Sequence, residues 1–101
     1  AHAETVAIRR AATRLGDWRL SGCTLYCTVE PCILCAGAIL LARIDRLVYG
    51  CPDPKMGAVR SLFTLCSDAR LNHQVSVTGG VLEEESTRLM RQFFQNLRER
   101  G

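Results

Sequence analysis

His2-Ala3-Glu4 near the amino end and Pro31-Cys32-Ile33-Leu34-Cys35 further along supply one imidazole, two thiols and one carboxylate. These groups suit a hydrolytic metal site. Zinc takes imidazole nitrogen and thiolate sulfur in a tetrahedron, so His2, Cys32 and Cys35 would fill three corners and leave the fourth to water. A purely structural site normally fills that corner with another side chain, and no fourth protein donor stands out. Each motif alone is weak, because redox motifs and half zinc ribbons share Cys-x-x-Cys and His-x-Glu recurs by chance. Their combination, with Pro directly before the first Cys, is specific. The competing reading is a zinc knot with four protein donors that staples a small domain.

The elements that would carry these groups follow from spacing. Residues 2–15 read as a helix, since Ala3, Ala7, Ala11 and Leu15 recur every four positions while Arg9, Arg10 and Arg14 fall elsewhere, and Gly16 stops it. Residues 24–29 alternate as a strand that leads straight to Glu30 and Pro31. Pro31 opens a second helix over 32–43, with Cys32 and Cys35 on one face of its first turn, where free amides and the helix dipole favour thiolate. Strands are expected at 46–50 and 74–78, a Pro-rich loop at 51–57 and a short helix at 61–66. After Gly79-Gly80, a terminal helix opens on Glu83-Glu84-Glu85 and closes on Arg98 and Arg100, a charge order that matches its dipole. Strands separated by helices predict parallel pairing and an α/β fold.

A chain of 101 residues, 48% hydrophobic and 23% charged, reads as one small globular domain over 1–101. The longest apolar run, 35–42, is too short to span a bilayer, and no signal peptide precedes it, so the expected location is the cytoplasm, away from membranes. Six cysteines permit 15 disulfide pairings on paper. Cys23 and Cys27 flank or occupy one strand, roughly 13 Å apart and beyond disulfide reach, while Cys51 and Cys66 sit in apolar contexts typical of free thiols. The net charge of +3 comes from Arg with a single Lys, Lys55. That balance is compatible with RNA and equally with an ordinary soluble surface.

The metal motifs, together with Arg19 through Tyr26, Glu30 through Ile39, Asp53 through Ala58 and Leu71-Asn72-His73, resemble the zinc-dependent cytidine/deoxycytidylate deaminase superfamily. Within it, the bacterial tRNA-specific adenosine deaminases are the most similar. The resemblance implies a three-layer α-β-α fold of the cytidine deaminase kind, mostly parallel, lacking that family's N-terminal helix and β-hairpin. The chain is therefore expected to be a fragment, a trimmed chain or a compact variant, with an exposed strand edge. It further implies zinc held by His2, Cys32 and Cys35, with Glu4 as a catalytic acid and base outside the ligand set. Because residues two apart diverge in a helix, that role needs His2 on an extended lead-in and Glu4 in the opening turn.

The implied reaction is hydrolysis of adenosine to inosine in RNA at the tRNA wobble position, with an anticodon stem-loop as partner and a homodimer sharing its clefts. Alternatives are a cytidine, nucleotide or guanine deaminase, or a catalytically incomplete zinc-binding fragment or partner subunit. For substrate, Asp53 would approach the ribose and Lys55 a phosphate; the plain reading of both is a solvated turn between Pro52 and Pro54. Phe94 is the candidate for stacking on a base, against the commoner split in which one ring of Phe93-Phe94 enters the core. Asn72 and His73 read as capping and turn residues.

Overall fold

The computed structural model describes residues 2–100, except for the side chains of Phe94 and residues 97–100. In chain order it contains α1 (Ala3–Leu15), β1 (Thr24–Val29), α2 (Ile33–Leu41), β2 (Arg46–Cys51), β3 (Ser76–Thr78) and α3 (Glu83–Arg100). The strands form one sheet in the order β1-β2-β3, parallel throughout, with Leu25 in register with Leu47 and Leu47 with Val77.

Alternation along the strands sorts the two faces of the sheet. Leu25, Cys27, Leu47, Tyr49 and Val77 point to one side, where they join Ala36 and Ile39 of α2 and Ile8, Ala11 and Ala12 of α1 in a single core. Ile39 and Leu47 are fully buried there. Gly50 faces the other side, and a methyl group at its position would meet Ser86 of α3 and the Thr28 carbonyl. Helices therefore cover both faces of the parallel sheet, which is the expected α-β-α sandwich. α2 is apolar nearly all round: Cys35, Ala36 and Ile39 are buried on its inner side, while Ile33, Leu34 and Leu41 are exposed on the other.

Element ends depart from the spacing rules where neighbours intervene. Gly16 does end α1, in the left-handed region with φ 72°. α2 is shorter than 32–43: it starts at Ile33 and ends at Leu41, after which Arg43 takes a φ of 60° and turns the chain toward β2. The helix expected at 61–66 is replaced by turns and one 3-10 turn, Leu65–Ser67, that buries Cys66. Its amides bond across the loop instead, Leu62 to Gly57 and Leu65 to Ala58. The last strand begins at Ser76 rather than at 74, because the Val75 amide is spent on the Cys66 carbonyl instead of on β2. The acidic first turn of α3 is present, whereas Arg98 and Arg100 lie outside the described side chains.

The close approach of α3 to β2 depends on a missing side chain. Gly50→Val should destabilise the chain by about 1–3 kcal/mol, measured by urea unfolding with an unchanged m-value. An unaffected midpoint would show that α3 does not pack on that face.

Candidate metal centre and active-site cleft

The site lies at the carboxyl end of β1, where two helices begin side by side. Glu30 makes the last sheet bond, its amide donating to the Cys51 carbonyl at 2.9 Å. Pro31 and Cys32 then run extended, with Cys32 at φ −78°, ψ −179° as the N-cap of α2. Pro31 thus precedes α2 rather than opening it, and only Cys35 lies within the first turn. The cause is the loop that crosses here: Cys32 pairs with Gly57 in an isolated antiparallel bridge and the Ala58 amide donates to the Pro31 carbonyl at 2.9 Å, which holds both residues out of the helix.

His2 plays the matching part on α1. It is the extended N-cap, at φ −75°, ψ 139°, and its side chain caps no amide, which leaves the imidazole available to turn toward Cys32. Nδ1 lies 3.8 Å from Cys32 Sγ, and the donor atoms of His2, Cys32 and Cys35 all fall within 4.8 Å of one another. Donors about 2.0–2.3 Å from a tetrahedral zinc stand roughly 3.4–3.8 Å apart, so the trio needs little adjustment to share one ion. Soft sulfur and imidazole donors of this kind fit zinc. Among the described residues, no other group of three or more such side chains converges in this way.

Glu4 occupies the first turn of α1 and is outside that trio. Its carboxylate nevertheless reaches into the site. Burial, then Glu4, then Cys32 push the Cys35 thiol up, and burial followed by Glu4 raises Cys27 to about 12. The helix dipoles were expected to favour thiolates here; at Cys35, fully buried beside a carboxylate and a second thiol, the opposing effects win. A bound cation would reverse that balance.

A cleft of about 1070 Å³ opens in front of these groups. Every residue of β1 except Thr24 lines it, inward and outward alike, together with Ala3 of α1 and Met90 of α3. Residues of both outer layers can share one cleft only if it runs along the uncovered edge of β1, and β1 pairs with β2 alone among the described strands.

The predicted substrate residues divide. Asp53 lines the cleft, but its Oδ1 accepts the Lys55 and Met56 amides at 3.1 Å each, an Asx turn that caps the loop. Lys55 is exposed and is not among the side chains that line the cleft. Phe94 falls in α3, with its side chain outside the described residues. The ring Nε2 of His73 sits 2.7 Å from the Ile44 carbonyl, a structural contact remote from the trio.

Sequence reasoning missed Glu30. This carboxylate is 3% exposed and accepts five hydrogen bonds: the Asp53 amide and Ser61 hydroxyl at Oε1, and the Val59, Arg60 and Ser61 amides at Oε2. Burial alone would raise its pKa, but the bonds from Arg60, Ser61 and Asp53 outweigh it and lower the value to about 2. The available signal was an acid at the end of an otherwise apolar strand, directly before the metal motif.

Fold and site define a class: a parallel α/β sandwich that gathers one imidazole and two thiols at a strand's carboxyl end, with a carboxylate beside the trio and outside it. Residues 1–98 match the model of the MafB19-like deaminases, and the chain belongs to that family. It is 48% identical over 100 residues to the tRNA-specific adenosine deaminase of Bacillus subtilis, covering 99% of this chain and 62% of that protein. It is 50% identical over 99 residues to the tRNA-specific adenosine deaminase of Haemophilus influenzae, covering 98% and 57%. A structure from a study of A-to-I editing by tRNA:A34 deaminases at the wobble position of transfer RNA superposes with a TM-score of 0.81 at 48% identity, covering 87% of this chain and 64% of that one. The chain thus spans about three fifths of the length of the relatives it matches.

Because Cys35 is held protonated at neutral pH without a cation, metal uptake must displace protons. Calorimetry of zinc binding near pH 7 in buffers of different ionisation enthalpy should show release of about one proton or more per ion, and apparent affinity should rise with pH. Uptake without proton release would contradict the thiol assignment.

Proposed function

We propose that this chain carries the zinc site and catalytic acid of an RNA adenosine deaminase, acting on the wobble adenosine of a tRNA anticodon stem-loop. The observation that carries this reading is the convergence of His2, Cys32 and Cys35 with Glu4 beside them and outside their set, facing a cleft. The adenosine and tRNA assignments draw on the relatives of 48–50% identity.

The overall reaction adds water to adenosine and releases inosine and ammonia. Zinc, when held by the trio, supplies an acidified water able to attack a purine carbon at neutral pH. Glu4 is a proton carrier in this scheme: it accepts a proton from the attacking water, delivers one to the ring nitrogen, and assists the amine as it leaves. A carboxylate engaged as a ligand could not serve both steps. Asp53 has its Oδ1 committed to the turn, so any contact it makes to a ribose falls to Oδ2. Lys55, at the exposed loop, would meet a phosphate, and Phe94 a base.

The reading includes a homodimer in the cytoplasm. Leu34 and Leu41, seven apart on α2, are 60% and 76% exposed, an apolar stripe that a second copy would cover. No helix among the described residues is long and apolar enough to cross a membrane.

Glu4→Ala should retain one zinc per chain and lose about 10²–10⁴-fold in turnover, read as inosine by mass spectrometry of an anticodon stem-loop. Cytidine and guanine serve as competing substrates. Turnover by Glu4→Ala at the parent rate, or deamination of a competitor in preference to the stem-loop, would refute the proposal.

A further inference from the structure

Glu30 is the most heavily bonded side chain at the site, yet neither the metal trio nor the proton path uses it. Its two oxygens divide their work. Oε2 gathers three successive amides, Val59 at 3.1 Å, Arg60 at 2.8 Å and Ser61 at 2.9 Å, and so closes the 57–61 turn. Oε1 takes the Asp53 amide at 3.1 Å, together with the Ser61 hydroxyl. The loop also crosses the metal-ligand segment directly, through the Cys32–Gly57 bridge and the Ala58 amide on Pro31. Gly57 leaves room for this crossing, since a methyl group there would strike the Glu30 carboxylate and the Asp53 carbonyl. Arg60 ties the far end to β3 through the Val77 carbonyl at 3.1 Å.

We propose that Glu30 is a positioning residue for substrate: its buried carboxylate fixes the Asp53 loop as one wall of the cleft, at a set height above the segment that carries the metal ligands. The inference rests on the deaminase reading for the identity of the substrate, though the loop's attachment is independent of it. The Glu30 carboxylate bonds to the loop and lies outside the His2, Cys32 and Cys35 group, so its part is to hold the wall and not to react.

The isosteric amide separates this role from others. In Glu30→Gln, the amide oxygen can still accept the three amides now on Oε2, and the Ser61 hydroxyl can turn to accept. The new NH₂ then confronts the Asp53 amide, donor against donor. Hydrogen exchange should therefore accelerate about tenfold or more at Asp53 and stay within about threefold at Val59, Arg60 and Ser61. Zinc should remain at one per chain. On an anticodon stem-loop, KM should rise about tenfold while kcat stays within about threefold, with a matching loss in equilibrium binding.

A merely structural Glu30 would lower the melting temperature and speed exchange throughout, with KM unmoved, and that result overturns the proposal. So does a fall in kcat at constant KM, which would make Glu30 part of the chemistry. If Glu30→Gln does not fold, Ser61→Ala removes one restraint on the same oxygen and should move Asp53 exchange and stem-loop binding in the same direction by a smaller factor; no movement in either overturns the proposal. A parent chain that binds the stem-loop and never converts it refutes the deaminase reading alone, and exchange with binding still decides the role of Glu30.

Discussion

The arrangement depends on two helices beginning next to each other at the carboxyl end of β1. A helix start offers unpaired amides and the positive end of a dipole, and here two such ends converge on the same few side chains. His2 and Cys32 are both N-caps in extended backbone, which lets their side chains meet across thirty residues of sequence. Burial works against ionisation of Cys35, and Glu4 adds to that opposition. A divalent cation held by the trio would oppose both effects by favouring the thiolate.

The loop from Asp53 to Ser61 extends the same logic from metal to cleft. A buried carboxylate is tolerated only when its oxygens are saturated, and Glu30 achieves this by drawing backbone amides from a segment more than twenty residues away. The segment that carries Cys32 and the wall that faces it are thus built as one piece. On the opposite side, the edge of β1 opens directly into the cleft, so the sheet supplies a floor from α1 to α3. An edge of this kind carries unpaired backbone groups that a neighbouring strand or nucleotide can use.

Much of this was legible in the residues. Pro-Cys-x-x-Cys after an alternating strand fixed where the thiols fall, Gly16 marked the end of α1, and the resemblance required the extended His2 and first-turn Glu4 that the structure contains. Other features were not legible because they arise from contacts distant in sequence. Cys32 reads as the start of the helix that follows Pro31, and the Gly57 bridge together with the Ala58 amide on Pro31 keeps it extended. The 61–66 stretch reads as a short helix, but the Val59, Arg60 and Ser61 amides are taken by Glu30, and those of Leu62, Phe63 and Leu65 by the Gly57 and Ala58 carbonyls. For Asp53 the sequence leaves two readings, a ribose contact and a turn between Pro52 and Pro54, and the structure contains the turn, held through Oδ1. Spacing singled out the three donors that converge, and it gave no sign of the five bonds that tie Glu30 to the loop beside them.

The central claim is a cation held by one imidazole and two sulfurs, with one position left for solvent. X-ray absorption at the zinc edge of the metal-loaded chain measures this directly. The account predicts two sulfur donors, one imidazole and one further light-atom donor. A third sulfur, or a second protein imidazole or carboxylate in the remaining position, would contradict it.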